Sequence, residues 1–306
     1  MQSSFIGSLL ELSETNNDIL YLTADSGEGG LDLLFQRNYP DRCFNFGIAE
    51  ENMVAAAAGM ALCGKTPFVY TAAPFLVYRA FEFIRNDVCL QNLPVKLIGS
   101  GSGITVSSLG PTHHATEDIA VLRSLPNLTI ISPASPKQVY ESIKLAYRIP
   151  GPTYVRIGMN KELEYFGDDY EIPSSGIDML REGDDALVVS TGPVLKEVVK
   201  AADILEKEGI HITVANVLLI KPFDAVFFLK SVEAFSYVFS VEEHNSIGGI
   251  GSMIAECMHF GGVISPVFKI GLQDSFTSGY GNLDSLRHAN GLDAETIAMS
   301  IRRIVK

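Results

Sequence analysis

The chain has 306 residues, of which 47% are hydrophobic and 19% charged, and its formal net charge at pH 7 is −13. This length and composition predict an ordinary globular protein with two domains. The negative charge, without a basic patch, argues against nucleic acid or an anionic membrane as the main partner. No apolar run approaches the roughly 18 to 20 residues of a membrane span, and the N-terminus has no basic region before its apolar residues. We therefore expect a cytoplasmic protein.

Apolar strand patterns alternate with helical patterns over residues 1–160. This alternation is typical of a mostly parallel sheet with helices on both faces. In chain order we predict a helix at 4–14, a strand at 19–23, a helix at 31–37, a strand at 43–46, an alanine-rich helix at 50–62, a strand at 66–70, a helix at 79–91, a strand at 95–98, a helix that starts near 118, a strand at 128–131, a helix at 136–147 and a strand at 153–157.

Residues 161–183 are polar, acidic and rich in Gly, Pro and Ser, which is typical of a linker between domains. A second α/β pattern follows over 184–306, so we expect a second domain of the same class. Its predicted elements are strands at 186–190, 211–217, 237–241 and 267–270, with helices at 194–208, 223–229 and up to 260. The glycine-rich turn at 246–251 lacks a clean GxGxxG pattern with a later acidic residue, so it indicates helix–sheet packing rather than dinucleotide binding.

The four cysteines lie in apolar or helical contexts and show no CxxC spacing. Such spacing would be expected of a metal site or of a redox pair. We therefore expect buried, reduced thiols at Cys43, Cys63, Cys89 and Cys257.

Glu50 and Glu51 begin the alanine-rich helix, directly after the segment Asn45-Phe46-Gly47-Ile48-Ala49. Negative charge is favoured in the first turn of a helix, which is sufficient to explain both carboxylates. The helix that follows is apolar almost all round and should be buried, which leaves a carboxylate half in water and half in protein. A role in chemistry and a role as a complement to the helix dipole both remain open for this pair.

The loop Leu109-Gly110-Pro111-Thr112-His113-His114 places two adjacent histidines after the carboxyl end of a strand. Ligands of open α/β sheets bind at such ends, and Gly-Pro stiffens the backbone there. One histidine alone is more often a structural group. A zinc site is disfavoured because Glu117 is the one further ligand at suitable spacing, so we expect no metal site on this chain.

Aromatic residues and arginines are interleaved over residues 69–87. Phe75, Tyr78, Arg79 and their neighbours could form an apolar slot for a planar ring. Ordinary core packing explains at least some of these aromatics equally well.

Taken together, these three segments resemble the C-terminal half of a transketolase. The same order of motifs occurs in 1-deoxyxylulose-5-phosphate synthase and, more distantly, in the β subunits of 2-oxoacid dehydrogenases. The similarity covers essentially the whole chain, through Asp25, Asn45–Glu50, Phe75–Arg79, Gly110–His113, Arg156, Val241–His244 and Gly248–Ser252. It implies a first domain that binds the aminopyrimidine of thiamine diphosphate, at 1–160, and a transketolase C-terminal domain at 184–306.

The resemblance also implies roles for individual residues. Glu50 would bind N1′ of the pyrimidine and so help to activate the thiazolium carbon, while Glu51 would cap the helix or meet a partner. Phe75, or Tyr78 in an alignment shifted within this loop, would stack on the ring. The remaining matches are Asp25 and Arg79 as cofactor-binding residues, His113 at the donor carbonyl, and Arg156 as the group that grips a substrate phosphate.

The family's motif for diphosphate and magnesium, Gly-Asp-Gly with a later Asn, is absent, because Gly183-Asp184-Asp185 lies in the other domain and lacks the second glycine. The resemblance therefore implies a separate N-terminal subunit that holds the diphosphate and most Mg²⁺ contacts, in an α2β2 heterotetramer. Transketolases carry Asp and His where this chain has Leu109 and Gly101. Both differences remove polar contacts to a sugar, so the identity of the donor substrate remains open.

Our leading hypothesis is a thiamine-diphosphate-dependent transketolase subunit that moves a two-carbon ketol unit between sugar phosphates. Two enzyme alternatives are a deoxyxylulose-phosphate-synthase-like condensation and the β subunit of a 2-oxoacid dehydrogenase. A fourth hypothesis is an assembly partner without a catalytic role.

Overall fold

The structure, a computed structural model, describes residues 1–26, 30–159 and 163–306. Within these ranges the strands are β1 (Ile19–Thr23), β2 (Cys43–Asn45), β3 (Thr66–Ala72), β4 (Lys96–Ser100), β5 (Thr129–Ile131), β6 (Thr153–Ile157), β7 (Ile177–Arg181), β8 (Ala186–Ser190), β9 (Ile212–Val217), β10 (Leu219–Lys221), β11 (Val238–Asn245) and β12 (Val267–Leu272). The α-helices are α1 (Gln2–Thr15), α2 (Leu31–Asn38), α3 (Glu50–Leu62), α4 (Phe81–Phe83), α5 (Asp118–Arg123), α6 (Pro136–Arg148), α7 (Leu195–Glu206), α8 (Ala225–Val232), α9 (Ile250–Phe260), α10 (Leu283–Ala289) and α11 (Ala294–Val305).

The described strands form two sheets, in the orders β10-β5-β6-β4-β3-β1-β2 and β12-β11-β8-β9-β7. All pairings are parallel except β10 with β5 and β7 with β9. The inner strands, such as β1, β4, β6 and β8, are parallel and buried along their whole length, so their apolar runs show no alternation, as expected for sheets covered by helices. The predicted fold class, two mostly parallel α/β units, is confirmed.

Two antiparallel edge strands were not predicted. β7 falls inside the segment assigned to the linker, so that part of the segment belongs to the second sheet. β10 follows β9 of the second sheet, yet it pairs with β5 and completes the edge of the first sheet. β10 has only three residues, and β7, Ile-Asp-Met-Leu-Arg, has no sustained apolar run, so the pattern of apolar residues did not detect them.

The region 75–89 is helical but irregular. The predicted helix at 79–91 instead comprises a π-helical turn at Phe75–Arg79, the short α4, and a second π-helical turn at Ile84–Cys89. Single π-turns occur frequently at functional sites. The earlier start places Phe75 on the first helical turn after β3.

The largest apolar core spans both halves of the chain, with α3, β3 and β4 of the first sheet and residues of β8, β9 and α9 of the second. The two units therefore share a packed interior. All four cysteines are free, but they are not all buried, because Cys63 is exposed and only Cys89 is fully covered. Within the described ranges, no helix combines the length and apolar character needed to cross a membrane.

Candidate active site

A cavity of about 650 Å³ opens at the carboxyl edge of the first sheet. The ends of β1 to β4 line it with Thr23, Asn45, Ala72 and Ser100, and the register places these ends side by side, since Thr23 lies opposite Asn45 and Ala72 opposite Ser100. Ligands of open parallel sheets bind outside these ends. Asp25, Phe75, Leu109 and His113 also line the cavity. The fold thus brings together side chains from all three segments singled out in the sequence.

Glu50 is the first residue of α3 and is only 1% exposed. This contradicts the expectation of a half-buried carboxylate. Its Oε2 lies 2.6 Å from Nη1 of Arg79, whose side chain is 42% exposed. A buried carboxylate needs such compensation, and the ion pair and the positive end of α3 both provide it. Among the described residues, Arg79 donates the hydrogen bond to this carboxylate, through Oε2, and Glu50 itself is not one of the residues that line the cavity.

Phe75 connects the Glu50–Arg79 ion pair to His113. The guanidinium carbon of Arg79 lies 5.6 Å from the centroid of the Phe75 ring, within range of a cation–π contact. The Phe75 ring also meets the His113 ring edge-on, with centroids 5.0 Å apart. Phe75 is half-buried and lines the cavity. Its ring is therefore presented to a ligand by neighbours that fix its orientation.

Tyr78, the other candidate for stacking, turns away from the cavity lining. Its hydroxyl donates to Oε2 of Glu117 at 2.8 Å and accepts from the Glu117 backbone N–H at 3.1 Å. Burial, with the charges of Asp118 and Glu117, raises the pKa of Tyr78 well above its ordinary value. Of the two aromatic candidates, only Phe75 faces the cavity.

Asp25 lies at the cavity wall with an exposed side chain and a left-handed backbone, φ 53°. Asn45 holds this turn, because its Oδ1 accepts from the backbone N–H groups of Asp25 and Gly47, at 3.1 and 2.9 Å. Left-handed backbone in a residue other than glycine is tolerated best by Asn and Asp. Asn45 therefore ties β1 to the start of α3.

The two adjacent histidines have different environments. His113 is half-buried in the cavity wall, and its Nδ1 is 2.9 Å from Oγ1 of Thr112. His114 is buried, and its Nδ1 is 2.7 Å from Oγ1 of Thr277, in the second half of the chain. Burial lowers the pKa of His114. His113 is the one placed to meet a ligand.

The structure also shows the surroundings of Leu109 and Gly101, the two positions at which the chain departs from the family's substrate residues. Leu109 lines the cavity and is 47% exposed. Gly101 has φ 86°, and a Cβ there would lie 2.4 Å from Cγ2 of Val106. A side chain at 101 is therefore excluded while Val106 keeps its present position.

Arg156 is only 1% exposed and lies outside the cavity lining. Its Nε donates to Oδ2 of Asp118 at 2.8 Å, and its Nη2 donates to the backbone oxygens of Ala115 and Glu243, both at 3.0 Å. This geometry contradicts the expectation that Arg156 is free to grip a substrate phosphate. The side chain instead joins Ala115, two residues after His113, to Glu243 of the second unit.

Several polar groups of the cavity were missed in the sequence, among them Gln2 and Ser100. Nε2 of Gln2 donates to the Tyr70 hydroxyl at 2.9 Å and to Oγ of Ser100 at 3.1 Å. Gln2 is the first residue of α1, and no local pattern connects it with a residue 98 positions away. Ser100 and Tyr70 could have been found, because both lie near the carboxyl ends of predicted parallel strands. In the described parts of the chain, no group of three His, Cys, Asp or Glu side chains is arranged to hold a metal ion.

Comparisons with known proteins agree with the division of the fold into two α/β units. Residues 4–161 match the family described as "Transketolase, pyrimidine binding domain", and residues 176–297 match "Transketolase, C-terminal domain". The chain therefore belongs to the transketolase family.

Similarity to individual proteins covers nearly all of the chain. It is 39% identical to a subunit of apulose-4-phosphate transketolase from Actinobacillus succinogenes, over 92% of this chain and 90% of that protein. It is 36% identical to 1-deoxy-D-xylulose-5-phosphate synthase of Thermomicrobium roseum, over 97% of this chain but 47% of that protein. Among solved structures, "Split gene transketolase, inactive beta4 tetramer" matches with a TM-score of 0.89 and 34% identity, over 99% of this chain and 97% of that one.

Proposed function

We propose that the chain is one subunit of a two-subunit transketolase, which transfers a two-carbon ketol unit between sugar phosphates with thiamine diphosphate. The observation that carries this proposal is the placement of Phe75 and His113 in one cavity wall, with the buried Glu50 linked to Phe75 through Arg79. A carboxylate, an aromatic ring and an imidazole are thus joined by a chain of direct contacts. The similarity to a subunit of apulose-4-phosphate transketolase over nearly the whole chain supports the same reaction class.

The residues fit the aminopyrimidine end of the cofactor. The Glu50 carboxylate would bind a ring nitrogen, and Phe75 offers a half-buried ring face in the cavity wall. A buried carboxylate shares a proton with a ring nitrogen more readily than a solvated one, because water does not compete for the proton. Asp25 and Arg79 complete the polar surroundings, with Arg79 acting through Glu50.

When bound, thiamine diphosphate would supply the nucleophilic carbon for reaction with the donor carbonyl. Glu50 would hold a proton at the pyrimidine, Phe75 would orient the ring, and His113 would donate a hydrogen bond to the carbonyl oxygen, where negative charge develops. The imidazole of His113 is steadied for this role by Thr112 and by the edge contact with Phe75.

The diphosphate and Mg²⁺ are assigned to an N-terminal subunit. The support is the absence of a Gly-Asp-Gly motif with a later Asn from the printed sequence. A relative of nearly equal length whose name designates it as a subunit, and a solved relative described as a split gene product, support the same division. We expect an α2β2 heterotetramer in the cytoplasm, with neither nucleic acid nor membrane as a partner.

The test is to mix the chain with the N-terminal subunit, thiamine diphosphate and Mg²⁺, and to measure ketol transfer from a panel of ketose phosphates. Neither subunit alone should be active, and Glu50→Gln should lower kcat by about 100-fold, the usual scale for a group that moves a proton. A parallel assay with pyruvate and an aldehyde tests the synthase-like alternative. Undiminished activity of Glu50→Gln contradicts the proton role. Full cofactor binding by the isolated chain contradicts the divided site.

A further inference from the structure

His113 lies on a closed loop, residues 103–115, which we call the histidine loop. Its base is held by two backbone hydrogen bonds, Gly103 N–H to Ala115 O at 3.1 Å and Ala115 N–H to Gly103 O at 2.9 Å. The histidine loop supplies Val106, Leu109 and His113 to the cavity wall. Its shape therefore decides where the imidazole of His113 lies.

A segment of the second unit, residues 273–282 between β12 and α10, crosses the histidine loop. The ring of Tyr280 packs directly on Gly110, since a Cβ at Gly110 would lie 2.3 Å from Cε1 of Tyr280. The Gly281 N–H donates to Ser107 O at 3.3 Å. Both contacts lie before His113 in the loop.

A third contact lies immediately after His113. Oγ1 of Thr277 is 2.7 Å from Nδ1 of the buried His114. Thr277 is only 7% exposed, so water does not compete strongly for this hydrogen bond. The segment 273–282 thus holds the histidine loop on both sides of His113.

Further contacts with the second unit fix the base of the histidine loop. Nη2 of Arg156 bridges the backbone oxygens of Ala115 and Glu243. The Asn245 N–H donates to Thr116 O at 2.7 Å. The base is anchored in the interior by these bonds, whereas the part nearest His113 depends on Tyr280 and Thr277.

We propose that Tyr280 and Thr277 are positioning residues for His113, through which the C-terminal domain sets the geometry of the candidate active site. The ring of Tyr280 limits where Gly110 lies, and Thr277 fixes the ring of His114 beside His113. The proposal rests on the proposed function for its kinetic consequences, but its structural core can be tested without any activity.

The first experiment is NMR of the full chain with ¹³C-labelled histidine. The chain has six histidines, and the resonance of His113 is identified by its loss in His113→Gln. We expect Tyr280→Ala and Thr277→Val each to shift or broaden the His113 resonance, whereas Tyr280→Phe and Thr277→Ser should leave it unchanged. Phe276→Ala is the matched control, because Phe276 is an aromatic residue of the same segment with an exposure similar to that of Tyr280, 82% against 74%.

The second experiment measures kcat and KM of the assembled two-subunit enzyme with the same variants. Displacement of a catalytic group by about 1 Å costs up to roughly 100-fold in rate, so Tyr280→Ala should lower kcat about ten- to 100-fold with cofactor affinity unchanged. Tyr280→Phe should restore the wild-type value.

The two experiments separate the two proposals. If the variants alter the His113 resonance but the wild-type assembly has no transketolase activity, the positioning role is supported and the proposed reaction is contradicted. An unchanged His113 resonance in both Tyr280→Ala and Thr277→Val overturns the positioning role, whatever the activity. Equal damage by Tyr280→Phe and Tyr280→Ala also overturns it, because the hydroxyl rather than the packed ring would then be the active feature. Thr277→Val, which alters one buried oxygen, decides the question if Tyr280→Ala does not fold.

Discussion

Glu50 and Arg79 form an ion pair in which one partner is buried and the other reaches solvent. The carboxylate is 1% exposed and the guanidinium side chain 42% exposed, with 2.6 Å between Oε2 and Nη1. Arg79 also stands 5.6 Å from the Phe75 ring. The same arginine therefore neutralises Glu50 and orients the Phe75 ring, to which we assign the stacking contact with the cofactor.

Arg79→Met should destabilise the fold, because it leaves the Glu50 carboxylate buried without its partner. We expect a loss of about 1–3 kcal/mol in the free energy of unfolding, less than for a fully buried pair because solvent reaches Arg79. Urea unfolding measures it. The double variant Glu50→Gln/Arg79→Met should recover part of the loss, and additive losses would contradict coupling between the two residues.

Arg156→Met should cost more, about 3–5 kcal/mol, because Arg156 and Asp118 are 1% and 0% exposed and the substitution leaves a buried carboxylate unpaired. Chemical unfolding of the full chain measures the loss. Arg156→Lys keeps the charge but not the planar set of donors. Its free energy of unfolding should therefore lie between those of wild type and Arg156→Met. If Arg156→Met folds as well as wild type but selectively raises KM for phosphorylated donors over unphosphorylated ones, Arg156 binds phosphate after all.

Lys96 should make stability depend on pH. The side chain is 0% exposed, its Nζ donates to the backbone oxygens of Ile149 and Gly151 at 2.6 and 2.8 Å, and burial lowers its pKa to about 7. In the unfolded chain the pKa of lysine is about 10.4. Between these values the unfolded state holds a proton that the folded state lacks, so stability rises with pH, by up to about 1.4 kcal/mol per pH unit.

The check is urea unfolding at pH 7.5, 8.5 and 9.5 for wild type and Lys96→Met. The difference in unfolding free energy between the two proteins should change steadily in favour of wild type as pH rises. Lys65→Met, at an exposed lysine, is the control and should leave the slope unchanged. A slope that Lys96→Met shares with wild type would assign the dependence to other groups.

Gly101→Ala should distort the cavity as well as the backbone. Position 101 has φ 86° and would bring a Cβ to 2.4 Å from Val106, whereas Gly64 has φ 79° and nothing within 4 Å of its Cβ position. Gly64→Ala should therefore report the backbone strain alone, about 1–2 kcal/mol. Gly101→Ala should cost measurably more in thermal or urea unfolding. If Gly101→Ala and Gly64→Ala lose the same amount of stability, the Val106 side chain moves aside without a measurable free-energy cost.

Much of the first unit was predictable because its signals are local. Glu50 begins α3 as its position before the alanine tract indicated, and the order of strands and helices followed the apolar runs. The burial of a side chain, in contrast, depends on residues that are distant in the sequence. Glu50 proved buried rather than half-buried because Arg79, 29 residues away, compensates its charge.

Contacts between distant segments account for what the sequence did not predict. Arg156 was assigned to a substrate, yet Asp118 and the backbone at Glu243 bind it, and no pattern in the sequence places these residues together.

Two helices, α10 and α11, were also not predicted, although α11 is strongly amphipathic and could have been recognised from its 3.6-residue period. The catalytic and cofactor-binding roles of Glu50, Phe75 and His113 stay predictions until the assays are done.

The strand β10 has a consequence for how the chain can be divided. It pairs with β5, the last parallel strand at one end of the first sheet, although it comes from beyond β9 in the chain. A fragment that stops at residue 160 would present the open backbone of β5 to solvent, and exposed strand edges recruit other chains. The fragment 1–160 should therefore self-associate or precipitate when expressed alone. In the full chain, β10 covers the β5 edge and prevents this.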